Sequence, residues 1–79
     1  MARIIDFELN NIVGDNVKRI RVEKKMSQNE LSSRLETYAI YVCRGSISRI
    51  ENHERTVADF ELKALSEVLG VSVYDLFEK

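Results

Sequence analysis

Hydrophobic residues recur at helical spacing along most of the chain. Val13, Val17 and Ile20 lie three or four positions apart and predict an amphipathic helix whose basic residues face outward. Leu31 and Leu35 predict a second helix in the same way. Because the chain also contains no proline, this pattern favours an all-α fold.

Three later segments continue the helical pattern. Ile47 and Ile50 share one side of a third helix, and Gly70 is expected to end a fourth helix in the left-handed conformation. A fifth, short helix is predicted from Ser72 to Phe77, with Ser72 as its cap. The inward stripe of the fourth helix is predicted to comprise Phe60, Leu62, Leu65, Val68 and Leu69.

Two short polar motifs predict where helices begin. Ser27 and Glu30 in "SQNE" are typical of a capping box, in which each side chain binds the backbone N–H of the other residue. Thr56, with Asp59 three residues later, predicts the start of the fourth helix.

The N-terminus has a different pattern. Ile5, Phe7 and Leu9 alternate with acidic residues, a period of two that predicts a short strand or an extended arm. We therefore divide the chain into an N-terminal arm, residues 1–10, and one compact helical domain, residues 11–79. The arm either folds back on its own core or contacts a second copy, and the sequence leaves both open.

Composition limits the classes of function. Seventy-nine residues with 44% hydrophobic content form one small core. One cysteine and one histidine make neither an internal disulfide nor a zinc site, and we expect no cofactor. The chain shows no signal peptide and no run of apolar residues long enough to span a membrane, which favours a cytoplasmic protein.

Charge is unevenly distributed although the formal net charge is only −1. The segment Asn16–Lys25, "NVKRIRVEKK", is rich in Lys and Arg, whereas residues 59–79 are mainly acidic. Local fields decide anion binding, so the basic segment is a candidate phosphate-binding face. We find no carboxylate pair, no nucleophile with a base and no glycine-rich phosphate loop, which argues against an enzyme and indicates no small-molecule ligand.

Two short helices, the second with Arg and Ser beside an inward Ile pair, are typical of a helix-turn-helix that reads the major groove. The stretches "VGDNVKRIRVEKKMSQNELSSRL", "SISRIENHERTV" and "LKALSEVLGVSVYDLF" make the chain resemble the lambda-repressor-like, Xre-type family of transcriptional regulators. The resemblance covers Val13–Phe77. It implies a five-helix domain that binds double-stranded operator DNA as a homodimer through its third helix, acting as a repressor.

The resemblance also implies roles for single residues. Arg21 and Glu51 match a structural ion pair of the family. The expected base contacts are Arg44, Ser46, Ser48 and Arg49. The expected phosphate contacts are Gln28, Asn52, Arg55 and Lys18.

The connection between the second and third helices departs from the family's pattern. Measured from Leu35 to Ile47, it is longer than the family's tight, Gly-containing turn. The angle of the third helix and the placement of Arg44 on helix or loop are therefore open. Because Gly45 is a poor interior helix residue, Ser46 is the predicted N-cap.

Four further residues have weaker interpretations. His53 stands where the family commonly has Gly, which predicts a helix-end residue with positive φ rather than a ligand. Cys43 is expected to be a half-buried, inert thiol rather than a redox sensor. Tyr38 and Tyr41 are expected to cover an edge of the core rather than to contact DNA or a partner.

Two other functions of the same fold stay open. The chain could be the antitoxin of a toxin–antitoxin pair or the controller of a restriction–modification system. It could also be a protein-interaction module that no longer binds DNA.

Overall fold

The computed structural model describes residues 9–78. Within that range the fold consists of five helices and contains no strand, so the all-α prediction is confirmed. The predicted N-terminal arm, residues 1–10, lies outside the described residues except for Leu9 and Asn10. The helices are α1 (Gly14–Glu23), α2 (Gln28–Glu36), α3 (Arg44–Glu51), α4 (Asp59–Leu69) and α5 (Val73–Phe77).

One hydrophobic core joins all five helices. The inward positions predicted for α1, α2 and α3 are confirmed, because their apolar residues are almost fully buried. α5 adds Leu76, and the side chain of Asn16 on α1 donates a hydrogen bond of 2.9 Å to the carbonyl of Leu76. The core comprises Val13, Val17, Ile20, Met26, Leu31, Leu35, Val42, Ile47, Ile50, Ala64, Leu65, Leu69 and Leu76.

The predicted capping motifs of α2 and α5 are confirmed. Ser27 Oγ accepts a hydrogen bond of 3.0 Å from the backbone N–H of Glu30, whose carboxylate accepts one of 3.1 Å from Ser27 N–H. Ser72 and Asp75 form the same reciprocal pair at the start of α5. Gly70 ends α4 with φ 70°, as predicted.

The start of α4 differs from the prediction. Ala58 rather than Thr56 is the N-cap, and the Glu61 carboxylate accepts a hydrogen bond of 2.9 Å from Ala58 N–H. Arg55 also binds the Glu61 carboxylate, in the first turn of α4. In the inward stripe predicted for α4, Leu65 and Leu69 are buried, and Leu62 and Val68 pack against the core. The placement of Phe60 in that stripe is wrong, because Phe60 is 61% exposed and the other buried positions of α4 are Glu61, Ala64 and Ser66.

The connection between α2 and α3 packs through its aliphatic residues. Val42 is buried and Ile40 packs against the core, whereas Tyr38 and Tyr41 are 50% and 78% exposed. The prediction that the two tyrosines cover the core is therefore wrong. The chain turns at Ala39, which has φ 60°.

The N-cap of α3 lies three residues earlier than predicted. Cys43 rather than Ser46 is its N-cap, and Ile47 N–H donates the first helical hydrogen bond to the carbonyl of Cys43. Arg44 consequently lies on the helix and not on the loop. Gly45 is accommodated because it lies in the first helical turn.

A close approach of two backbones joins α1 to the end of α3. A Cβ atom on Gly14 would overlap the carbonyl oxygen of Ile50. Asn11 joins the same elements, because its side-chain amide donates to the carbonyls of Ile50, at 3.0 Å, and Arg55, at 2.8 Å. Asn11 Oδ1 accepts from Gly14 N–H at 2.9 Å. The start of α1 therefore contacts the end of α3 directly.

A buried ion pair reinforces this contact. Arg21 Nε lies 2.7 Å from Glu51 Oε2, and its Nη2 lies 3.1 Å from Oε1. The third donor direction is filled as well, since Nη1 donates to the carbonyl of Met26 at 2.8 Å. The two side chains are 11% and 3% exposed. The pair thus joins α1, the α1–α2 turn and α3 through one guanidinium group.

Substitution of Gly14 by Ala should destabilise the protein by about 1–3 kcal/mol or more, because the new methyl group meets backbone rather than a flexible side chain. Gly45→Ala is the matched control. Its Cβ would lie 3.8 Å from the nearest atom outside its own turn, and we expect a change of less than about 1 kcal/mol in the stabilising direction. Urea unfolding of both variants measures the difference, and equal effects would contradict the packing argument.

Substitution of Arg21 by Ala should cost about 3–5 kcal/mol of unfolding free energy, because Glu51 is left charged and buried. Lys63→Ala is the control, since it breaks an exposed ion pair with Glu67 and should cost less than about 1 kcal/mol. The double variant Arg21→Met/Glu51→Leu should recover most of the loss. A cost for Arg21→Ala no greater than that for Lys63→Ala would refute this role.

Candidate nucleic-acid interface

The two sides of α3 have different environments. Ile47 and Ile50 are each 1% exposed and anchor the helix in the core. Arg44 and Arg49 are exposed on the outer side, with Ser48 partly exposed beside them. The helix therefore presents hydrogen-bond donors to the surface while its apolar side holds it in place.

The outer side of α3 and the start of α2 form one concavity of about 300 Å³. Two residues predicted from sequence for different roles meet there: Gln28 for phosphate and Arg49 for bases. Because two cationic side chains converge on this concavity, it is electropositive locally even though the chain's net charge is −1. Its lining residues are Gln28, Arg44, Gly45, Ser48 and Arg49.

Arg49 is oriented by a contact within α3. Its Nη2 donates a hydrogen bond of 3.1 Å to Ser46 Oγ, one turn earlier. A guanidinium group has five N–H donors, so this contact leaves the others available to a ligand. Ser46 therefore has a positioning contact besides its predicted base contact.

Cys43 lies beside the same side chains and is exposed, so the expectation of a half-buried thiol is wrong. Its Sγ is 3.5 Å from Ser46 Oγ. This hydrogen bond, assisted by backbone N–H groups at the start of α3, lowers the pKa of the Cys43 thiol below its ordinary value. The thiol is exposed because Val42, its neighbour, takes the inward position of the connection.

Gln28 is the first residue of α2, and a buried carboxylate orients its side chain. Gln28 Nε2 donates a hydrogen bond of 3.0 Å to Glu51 Oε1. A primary amide has two N–H bonds, so one remains free to bind an anion. The backbone N–H groups of the first turn of α2 lie at the same place and favour a negative charge.

The other predicted phosphate contacts lie apart from this concavity. Lys18 is exposed on α1, and Asn52 is the exposed C-cap of α3. Neither lines the concavity described above. Their roles remain predictions.

Arg55 already has a partner inside the protein. Its guanidinium donates to both carboxylate oxygens of Glu61, at 3.0 and 2.7 Å, and to the carbonyl of Thr56 at 2.9 Å. The hydrogen bonds raise the pKa of Arg55 and lower the pKa of Glu61. This pair was not predicted from the sequence, because no periodic motif links two residues six positions apart across the start of a helix. A phosphate contact by Arg55 stays a prediction.

His53 follows α3 with φ 63°, so the positive φ predicted from the family's Gly is confirmed. Its ring contacts the segment that leads into α1 and the first turn of α1. Nothing in the sequence near His53 indicated these contacts, because Asn11 and Asp15 are about 40 positions away.

Among residues 9–78, no three His, Cys, Asp or Glu side chains lie close enough to share a metal ion. In the same range no helix has the length and apolar character required to cross a membrane.

The chain is similar to known helix-turn-helix proteins in sequence and in structure. A profile described as helix-turn-helix matches residues 17–76. A crystal structure of SinR, the master regulator for biofilm formation, in complex with DNA is similar, with a TM-score of 0.72 and 31% identity. The alignment covers 84% of this chain and 98% of that chain. Curated protein sequences give no significant match.

Two other solved structures share the fold. The hypothetical transcription factor NHTF from Neisseria has a TM-score of 0.75 and 25% identity, over 99% of this chain and 85% of that chain. The DNA-binding domain of BldD has a TM-score of 0.73 over 94% of this chain and 100% of that chain. At 19% identity it supports the fold alone.

This fold and family are those of DNA-binding transcription regulators rather than of enzymes. The profile match spans most of the chain, and the likeness to SinR extends over nearly all of that structure. The chain belongs to the lambda-repressor-like, Xre-type helix-turn-helix family of DNA-binding transcription regulators.

Proposed function

We propose that the protein is a sequence-specific regulator that inserts α3 into the major groove of an operator as a homodimer and represses by occupying the site. One observation carries the proposal. A single concavity is lined by Arg44, Ser48 and Arg49 of α3 and by Gln28 of α2. The opposite side of α3 is buried in the core.

The chemistry of the concavity suits a base edge. Arginine can donate two hydrogen bonds to O6 and N7 of guanine, and serine can bind any base as donor or acceptor. Arg49 is already oriented by Ser46, which reduces the conformational entropy lost on binding. We assign the main base contact to Arg49, with Arg44, Ser46 and Ser48 as further contacts.

Phosphate binding would set the register of the helix in the groove. Gln28 and the N-terminus of α2 can bind one phosphate oxygen, because Glu51 keeps the Gln28 amide in place. Asn52 at the end of α3 and Lys18 on α1 would bind others. Since the chain has almost no net charge, we expect binding to depend on these local contacts rather than on general attraction to DNA.

An exposed apolar surface supports the homodimer. A groove of about 400 Å³ lies between the lead-in to α1, the α3–α4 connection and α5. Leu9, Ile12 and Phe77 on its border are 38%, 42% and 46% exposed. One helix-turn-helix unit alone reads too few base pairs for selectivity, and a two-fold dimer that reads two half-sites increases the selectivity.

Repression in the cytoplasm by simple occlusion of the operator would need no further surface of the protein.

Arg49→Ala should weaken binding to the selected operator by about 1–3 kcal/mol and relax the preference at one base pair per half-site. The measurement is selection from a random duplex pool near physiological salt, followed by titration of the recovered site. Lys63→Ala on α4 is the control for loss of one positive charge away from α3 and should leave the motif unchanged. If Arg49→Ala selects the same motif with the same affinity, base reading by α3 is refuted. If the unaltered protein recovers no motif, a protein-interaction module is the better explanation.

Phe77→Ser should weaken dimer formation and binding to an inverted repeat, while binding to one half-site stays unchanged. Phe77 is 46% exposed, so the substitution should leave the core intact. Val22→Ser on α1, where Val22 is 55% exposed and outside the groove, is the matched control. Sedimentation with and without DNA measures the stoichiometry. Binding of the unaltered protein to the inverted repeat as a single monomer would refute the homodimer.

A further inference from the structure

A set of polar contacts, which we call the His53 cluster, joins the end of α3 to the start of α1. It comprises His53, Asn10, Asn11 and Asp15. Nδ1 of His53 lies 2.9 Å from the carbonyl oxygen of Asn11, and Nε2 lies 3.0 Å from Asp15 Oδ1. The His53 carbonyl accepts hydrogen bonds of 3.3 Å from both the backbone and the side-chain N–H of Asn10.

Both partners of the imidazole ring accept hydrogen bonds and neither can donate one. A neutral imidazole carries a single N–H, so one of its nitrogens would point a lone pair at an oxygen about 3 Å away. The imidazolium ion donates to both oxygens. The site is therefore complementary to the protonated form of His53.

The local environment agrees with this geometry. The hydrogen bond to the Asn11 carbonyl and then the one to Asp15 raise the pKa of His53 above its ordinary 6.5, against a smaller opposing effect of burial. Asp15 is the one charged group that acts on the ring among the described residues. Asn10 and Asn11 are uncharged, and Glu51 and Arg55 are held by Arg21 and Glu61.

The His53 cluster lies where it can control the position of α3. His53 takes a positive φ directly after the C-cap of α3, and its backbone N–H donates to the carbonyl of Ile50. The side-chain amide of Asn11 donates to the same Ile50 carbonyl, and its Oδ1 accepts from Gly14 N–H. Loss of one ring contact therefore loosens the end of the helix that carries the base contacts.

We propose that His53 is a positioning residue whose protonation holds α3 against α1, so that affinity for DNA falls as the pH rises. The inference rests on the proposed function, since it concerns the same helix. When only a fraction of the protein molecules has the arrangement that binds DNA, the apparent affinity equals the intrinsic affinity multiplied by that fraction. Deprotonation of His53 would lower the fraction in which α3 is held in place.

The sign of the effect follows from the raised pKa of His53 in the folded state. Protonation of His53 contributes stability that is fully present below the unfolded-state pKa of 6.5 and is lost as the pH rises through the higher folded-state pKa. Stability and DNA affinity should therefore both decrease on the alkaline side of 6.5. The side chain of Asp15 is 86% exposed, so solvent weakens its interaction with His53. We therefore expect the coupling between protonation and DNA affinity to be small, with a change in affinity of about fivefold.

The test uses the fact that His53 is the single histidine of the chain. Its ring resonances can be titrated by NMR without ambiguity, and operator affinity can be measured from about pH 6 to about pH 8.5. Cys43→Ser serves as the background, because it removes a second titratable group beside α3, the thiol whose pKa is lowered. The variants are Asp15→Asn, which removes the charged acceptor, and His53→Asn, because Asn tolerates a positive φ.

We expect the ring of the parent protein to titrate above pH 6.5 and the ring of Asp15→Asn to titrate at lower pH. Operator affinity of the parent should fall about fivefold over the range, whereas His53→Asn should show no such fall. At about pH 6, Asp15→Asn should bind the operator more weakly than the parent. A midpoint unchanged by Asp15→Asn would overturn the proposal.

Direct attraction of the imidazolium to DNA phosphate predicts a different result. In that case Asp15→Asn, which removes a negative charge, would bind DNA more tightly at about pH 6 and keep the pH dependence of affinity. That outcome overturns the positioning role. If no duplex binds at any pH, the proposed function fails and with it the effect on DNA affinity. The ring titration and the pH dependence of unfolding still decide whether the His53 cluster depends on protonation.

Discussion

The ion pair between Arg21 and Glu51 is the contact on which the arrangement of the DNA-binding face depends. Its guanidinium group binds a carboxylate on α3 and a carbonyl in the turn before α2, so it fixes three elements together. The same carboxylate accepts a hydrogen bond from Gln28. A buried charge is costly unless all its hydrogen bonds are satisfied. Here the hydrogen bonds of Arg21 and Glu51 also fix the proposed base-reading helix and the proposed phosphate-binding residue relative to each other.

A second constraint acts at the same end of α3, where it meets the start of α1. Gly14 lets the backbone of α1 approach Ile50 closely, and the side-chain amide of Asn11 donates to the Ile50 carbonyl in the last turn of α3. α3 is therefore held at Glu51 by charge and just beyond it by uncharged hydrogen bonds and by His53. A helix of eight residues has little stability alone, so these tertiary contacts and the buried Ile pair keep it formed and oriented.

The connection between α2 and α3 is packed against the core. It buries Val42 and packs Ile40 against the core, so the extra residues form part of the domain rather than a loose loop. α3 starts at Arg44, so a cationic residue lies in its first turn. Cys43 and the two tyrosines of the connection are exposed near that turn.

Helical periodicity and capping are local properties, so the all-α fold, the inward residues of the first three helices and the caps at Ser27 and Ser72 could be predicted from the sequence alone. The predicted start of α3 was wrong. Val42 is buried just before the helix, so the helix begins at Arg44 in spite of the low helix propensity of Gly45. The pairing of Arg55 with Glu61 and of His53 with Asp15 was decided only by the tertiary structure. These partners belong to different elements, and their distances depend on how the helices pack around the shared core.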